Sequence, residues 1–206
     1  MMKKIAIVGA GGINSWVCRH LFDVASIFGK KELLFIKVFD DDVVEEKNIL
    51  RTNQNFQIED LMEPKSEVLG KRYGFLYEVG LITEDTIKEL ETFDDIILGV
   101  DNHKTRKLVY EFCIKHKKYL LDLRAQGTQI AYYVLNHDKG MEYYEKKFFS
   151  NPDIMDRKGS CQFTADVETD HIENGNKIIA FYGMYGIYFK HLRNEELTTD
   201  EWSMVY

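Results

Sequence analysis

Short apolar runs alternate along the chain with stretches of helical periodicity. Residues 3–8, with IAIV at their centre, are apolar without alternation, as expected of a parallel strand buried on both faces. Glycines follow. Ile13, Val17, Leu21, Val24, Ile27 and Phe28 then recur at helical spacing and predict a helix over 13–28. A second strand is predicted over 33–39, closed by Asp40, Asp41 and Asp42. Pro64 opens a predicted helix to Tyr73, in the position that tolerates a missing N–H. A strand over 75–79 and a short helix over 83–91, capped by Thr83, come next. Residues 96–100 predict a strand ending at Asp101, 102–117 a helix, and 119–123 a strand. The β-branched and aromatic content of 128–135 favours another strand.

The segment 141–173 is the least regular and reads as a long crossover-type loop, with Pro152 and Gly159 inside it. A final helix is expected over 177–193. Its aromatic stripe, Phe181, Tyr182, Tyr185, Tyr188 and Phe189, reads as core, with part of it available as a dimer face. Strand and helix alternating from the first residues imply an α/β protein: a Rossmann-like, doubly wound, mostly parallel sheet with helices on both faces. At 206 residues the chain suits one domain, 1–206.

Charge narrows the possible partners. The 27 basic residues are outnumbered by 34 acidic ones, which argues against a sequence-independent grip on nucleic acid. Lys115, Lys117, Lys118, Lys146 and Lys147 read as solvated faces. The longest uncharged run, 5–18, contains the glycines and falls short of the ~20 residues a bilayer span needs, so no membrane partner is expected. Cys18, Cys113 and Cys161 form no CxxC pair. No zinc site is expected, and a reducing cytoplasm is the natural setting.

Four places carry candidate chemistry. Gly9-Ala10-Gly11-Gly12 sits between strand and helix, where backbone N–H groups and the helix dipole favour a phosphate. A Rossmann fingerprint wants glycine at position 14, and this chain has Asn14. Asp40, about 30 residues on, is placed to accept from ribose hydroxyls, or stands with Asp41 and Asp42 in a solvated turn. Asn48, Arg51 and Lys65 follow. The two cations suit the charge that spreads during phosphoryl chemistry, or are ordinary surface residues. Asp101-Asn102, with Arg106 beyond, ends a strand. Asp101 is a Mg²⁺-ligand candidate, or caps the next helix.

In their order, GAGGINS, FDDDVVEEKNILR, EPKSEV and LGVDNHKTR resemble the ThiF/MoeB/HesA family and the adenylation domains of ubiquitin-activating enzymes. The resemblance spans roughly 3–135, and 40–51 matches the family's D-x-D-x₅-N-x-x-R arrangement without a gap. It implies ATP and Mg²⁺. Gly9, Gly11 and Gly12 would line the phosphates, Asp40 and Asp42 would serve the nucleotide, and Asn48, Arg51 and Lys65 would contact its phosphates. Asp101, with Asn102 beside it, would bind the metal. Arg51, Lys65 and Asp101 would then be the catalytic set. The implied reaction joins a C-terminal carboxylate to the α-phosphate of ATP. Its partner would be a small ubiquitin-like or sulfur-carrier-like protein, or a peptide, ending in glycine.

Departures from the family are specific. Relatives carry an arginine upstream of the first strand that reaches across a dimer, and this sequence opens at the strand. A homodimer or heterodimer is expected, and the alternative is an ATP-binding scaffold whose partner supplies that arginine. Thr52 replaces a common glutamine, and the family's CxxC pairs are absent. Cys161, in KGSCQF, lies near the position where some relatives use a cysteine to form a thioester or persulfide. Its other reading is a buried, inert thiol.

Overall fold

The computed structural model describes residues 2–27, 34–50, 54–126, 129–135, 141–149, 171–195 and 201–205. Its sheet has seven strands: β1 (Lys3–Val8), β2 (Leu34–Asp40), β3 (Leu76–Val79), β4 (Asp95–Leu98), β5 (Tyr119–Gln126), β6 (Gln129–Leu135) and β7 (Glu201–Val205). The spatial order is β3-β2-β1-β4-β5-β6-β7. The first five of these are parallel, whereas β6 pairs antiparallel with β5 and β7 pairs antiparallel with β6. The order reverses between β1 and β4, so a crevice opens beyond their C-terminal ends, the switch point of a doubly wound sheet.

The helices are α1 (Gly12–Ile27), α2 (Glu46–Leu50), α3 (Lys65–Tyr73), α4 (His103–His116), α5 (Met141–Phe148) and α6 (His171–Phe181). α6 continues through a π-helical stretch, Tyr182–Tyr188, into Phe189–Leu192. Alternation along the strands divides the core. Ile5, Ile7, Ile97, Leu121 and Leu123 pack with α1, α3 and the final helix. Ala6, Val8, Ile96, Leu98 and Leu120 pack with α4 and α5 on the other face. The expected doubly wound α/β fold is what the chain adopts.

Several local expectations are corrected. In place of a helix over 83–91 there is a turn and a 3-10 helix, Ile87–Thr92, with Thr86 at its N-cap. Thr86 Oγ1 is occupied by the Thr83 amide at 2.9 Å and the Leu81 carbonyl at 2.7 Å, which holds the turn rather than an α-helical start. Pro64 is the N-cap of α3, and Lys65 is its first residue. The loop expected over 141–173 begins with α5, whose Tyr144 is buried, and the final helix starts by His171. Of the aromatic stripe, Tyr188 is buried, but Phe181 is 55% and Tyr182 37% exposed. Lys118 is not simply solvated: its ammonium donates to the Glu91 and Phe93 carbonyls, each at 2.7 Å. Cys18 and Cys113 are core residues, their thiols pushed well up in pKa by burial. No helix among the described residues is long and apolar enough to cross a membrane.

Candidate functional site

The loop after β1 is built for close approach. Gly9 has φ +88°, and a Cβ there would stand 2.9 Å from Val100 Cγ1. Gly11 is different: nothing lies within 4 Å of the space its Cβ would fill. As the residue before α1, Gly11 has no side chain to cap the helix. The Ser15 amide bonds to the Gly11 carbonyl, and no described residue accepts from the N–H groups of Gly12, Ile13 or Asn14. These three donors stand at the positive end of a 16-residue helix.

Asp40, at the end of β2, fastens this loop. One carboxylate oxygen accepts from the Ala10 amide at 2.6 Å and the other from Asp42 at 2.9 Å. Burial raises its pKa to about 6, against the pull of those amides and of Lys65. Asp40, Asp41 and Asp42 bring their oxygens within 4.8 Å of one another, but backbone amides and Lys65 already occupy two of the three. Lys65 reaches Asp42 because a bridge between Val43 and Pro64 joins their segments. The Lys65 amide donates to the Asp42 carbonyl, and its ammonium sits 2.8 Å from the carboxylate. Lys65 is 6% exposed. Asn48, 2% exposed, accepts from the Glu45 amide at 2.8 Å through Oδ1, so it caps α2 as well as facing the cleft.

Across the switch point, Asp101 is exposed on the cleft wall. It does not cap α4. Asn102 does, accepting from the Thr105 amide at 2.7 Å. Arg106 is drawn inward, bonding to the Val100 carbonyl and pairing with Asp122. Asp122 also accepts from Arg124 at 2.7 Å and Tyr144 at 2.5 Å. Burial alone would raise the Asp122 pKa, and the two guanidinium groups hold it below the ordinary value.

The cleft formed by these parts measures about 920 Å³. It gathers Gly9, Gly11, Gly12, Asp40, Asp42, Asn48, Lys65, Asp101 and Asn102. Arg51 and Cys161 lie outside the described residues. A second half of the cleft is walled by Arg124, Ala131 and Tyr133 of the sheet and by Lys147 and Phe148 of α5.

Sequence reasoning missed several lining residues. Gln54 is 5% exposed, with its Oε1 unpartnered. His103 Nδ1 is likewise unpartnered, and burial together with Arg124 and Arg106 lowers its pKa. Arg124 lies 3.6 Å above the Phe148 ring. Asn176 reaches the cleft from α6. None of these has a sequence signal, because each acquires its place only when distant elements pack.

A doubly wound sheet with its cleft at the switch point thus defines a Rossmann-like α/β protein. The sequence matches the ThiF family over residues 2–180, and the chain belongs to that family. No curated protein matches the sequence. Among solved structures, E. coli MccB with AMPCPP and the peptide MccA superposes with a TM-score of 0.74 at 16% identity, covering 99% of this chain and 60% of that one. MccB with ATP gives 0.69, at 16% identity and the same coverage. PaaA gives 0.68 at 16% identity, covering 98% of this chain and 60% of PaaA. The chain therefore spans about three fifths of the length of these structures.

Proposed function

We propose that the chain binds ATP in this cleft and transfers its adenylyl group to the terminal carboxylate of a peptide or small protein. The observation that carries the reading is the uncapped first turn of α1, opening beside Asp40 and Lys65 and facing Asp101 across the switch point. Free N–H groups and the open space at Gly11 suit phosphate. Each Asp40 oxygen holds a backbone amide and keeps a lone pair for a ribose hydroxyl. Asp101 offers the single carboxylate with which Mg²⁺ commonly joins substrate phosphates. The metal, when bound, would neutralise phosphate charge.

In the reaction a carboxylate oxygen attacks the α-phosphorus, and the bond to the β-phosphate oxygen breaks. The products are an acyl-adenylate and pyrophosphate. No side-chain nucleophile is required, so the protein's work is positioning and charge stabilisation, assigned to Arg51 and Lys65. The half of the cleft between β6 and α5 would receive the acyl chain. An acceptor ending in glycine, ubiquitin-like, sulfur-carrier-like or peptidic, is the substrate class in this reading, and MccB crystallised with MccA supports a peptide. Cys161 is the proposed acceptor for any later thioester. The exposed face around Ile178, Phe181 and Tyr182 is the proposed dimer surface.

Hydroxylamine trapping tests the reading. Incubation with ATP, Mg²⁺ and glycine-terminated peptides or small proteins should convert one carboxyl terminus to its hydroxamate, visible by mass spectrometry. Intact carboxyl termini with clear ATP binding would instead indicate a nucleotide-binding scaffold.

A further inference from the structure

The final helix passes over the glycine loop. A Cβ on Gly12 would overlap the Asn176 amide, so the absence of a side chain at Gly12 is what lets Asn176 lie there. Asn176 is 7% exposed and lines the cleft. Its amide has no hydrogen-bond partner among the described residues. The amide is open to the cleft beside the three N–H groups of α1, and its Nδ2 is a donor with nothing yet to bond. Lys65 is already engaged by Asp42. Among the described residues, neutral donors are therefore the uncommitted groups beside the glycine loop.

We propose that Asn176 is a phosphate-contacting residue of the nucleotide site, its Nδ2 donating alongside the amides of the first turn of α1. The proposal rests on the ATP reading above. It adds a contact from the last helix, more than 160 residues from the glycine loop in sequence, so that nucleotide binding ties α6 to α1.

Calorimetric titration of ATP with Mg²⁺, and separately of adenosine, into wild type, Asn176→Ala and Asn176→Asp tests it. Removing a donor to a charged group should weaken ATP about tenfold or more. The Asp variant keeps the shape but places a carboxylate beside phosphate, and should weaken ATP further. Adenosine should bind all three equally. Wild-type ATP affinity in both variants would overturn the proposal, as would an equal loss of adenosine, which marks a packing role. Asn176→Ser, a donor with shorter reach, stands in if the Ala variant fails to fold, and should also weaken ATP selectively. Failure of the wild type to bind ATP would remove the ATP reading itself, before any variant is compared, and this proposal with it.

Discussion

The Asp40 carboxylate accepts the Ala10 amide at 2.6 Å, joining the end of β2 to the glycine loop after β1. Burial raises its pKa to about 6. Accepting ribose hydroxyls would favour the ionised form, so nucleotide binding should expel a proton below that pH. ATP affinity is expected to fall as pH drops through about 6, by up to about tenfold per unit. Asp40→Asn should abolish this dependence. Calorimetry in buffers of different ionisation enthalpy would reveal the released proton directly.

Gly9 and Gly11 should respond differently to alanine. At Gly9 the positive φ and Val100 oppose a side chain, so Gly9→Ala should cost at least about 1–2 kcal/mol of stability. At Gly11 the space is open and φ is ordinary. Gly11→Ala should leave the melting temperature near wild type while weakening ATP. Paired thermal melts and titrations separate the two outcomes.

The Asp122 cluster is a stability element on the cleft floor. Asp122→Ala leaves Arg106 and Arg124 without their buried counter-charge, and should destabilise the chain by about 3–5 kcal/mol in urea unfolding. Tyr144→Phe removes the hydroxyl's bond to the same carboxylate and its bond from Arg124, and should cost about 1–3 kcal/mol.

Away from the cleft, Asp95 is buried with Tyr188 at 2.7 Å, His191 at 3.2 Å and Lys3 at 3.2 Å. Burial would raise its pKa, but the bond and charge of His191, with Tyr188 and Lys3, leave it below the ordinary value. A depressed carboxyl pKa stabilises the fold above the unfolded-state value, and that contribution is lost as pH falls through the folded-state value. Stability should therefore decline below about pH 5. Asp95→Asn should flatten that limb in a pH series of denaturation curves.

The alternation of strands and helices and the residues at the strand ends were legible in the sequence. Period and punctuation are local properties, and the C-terminal edge of a parallel sheet collects whatever follows each strand. Asn14 shows where local reading stops. It departs from the Rossmann pattern, yet its Nδ2 donates to the Val8 and Gly9 carbonyls at 3.0 and 2.8 Å. A Cβ on Gly99 would stand 2.6 Å from its Cγ, so the asparagine is matched to a glycine after β4. Arg124 and Asn176 were invisible for the same reason: their neighbours come from across the fold. α5 was missed because its apolar Tyr144 and Phe148, one turn apart, are embedded among charged residues.

ATP–pyrophosphate exchange reads the adenylyl-transfer step itself. With Mg²⁺ and a panel of proteins and peptides ending in glycine, the account predicts exchange that depends on one of them. That exchange should be abolished in Asp101→Ala and lowered roughly 10²–10³-fold in Arg51→Ala. Exchange unaffected by either substitution would contradict the site assignment, and the absence of both exchange and ATP binding would contradict the account as a whole.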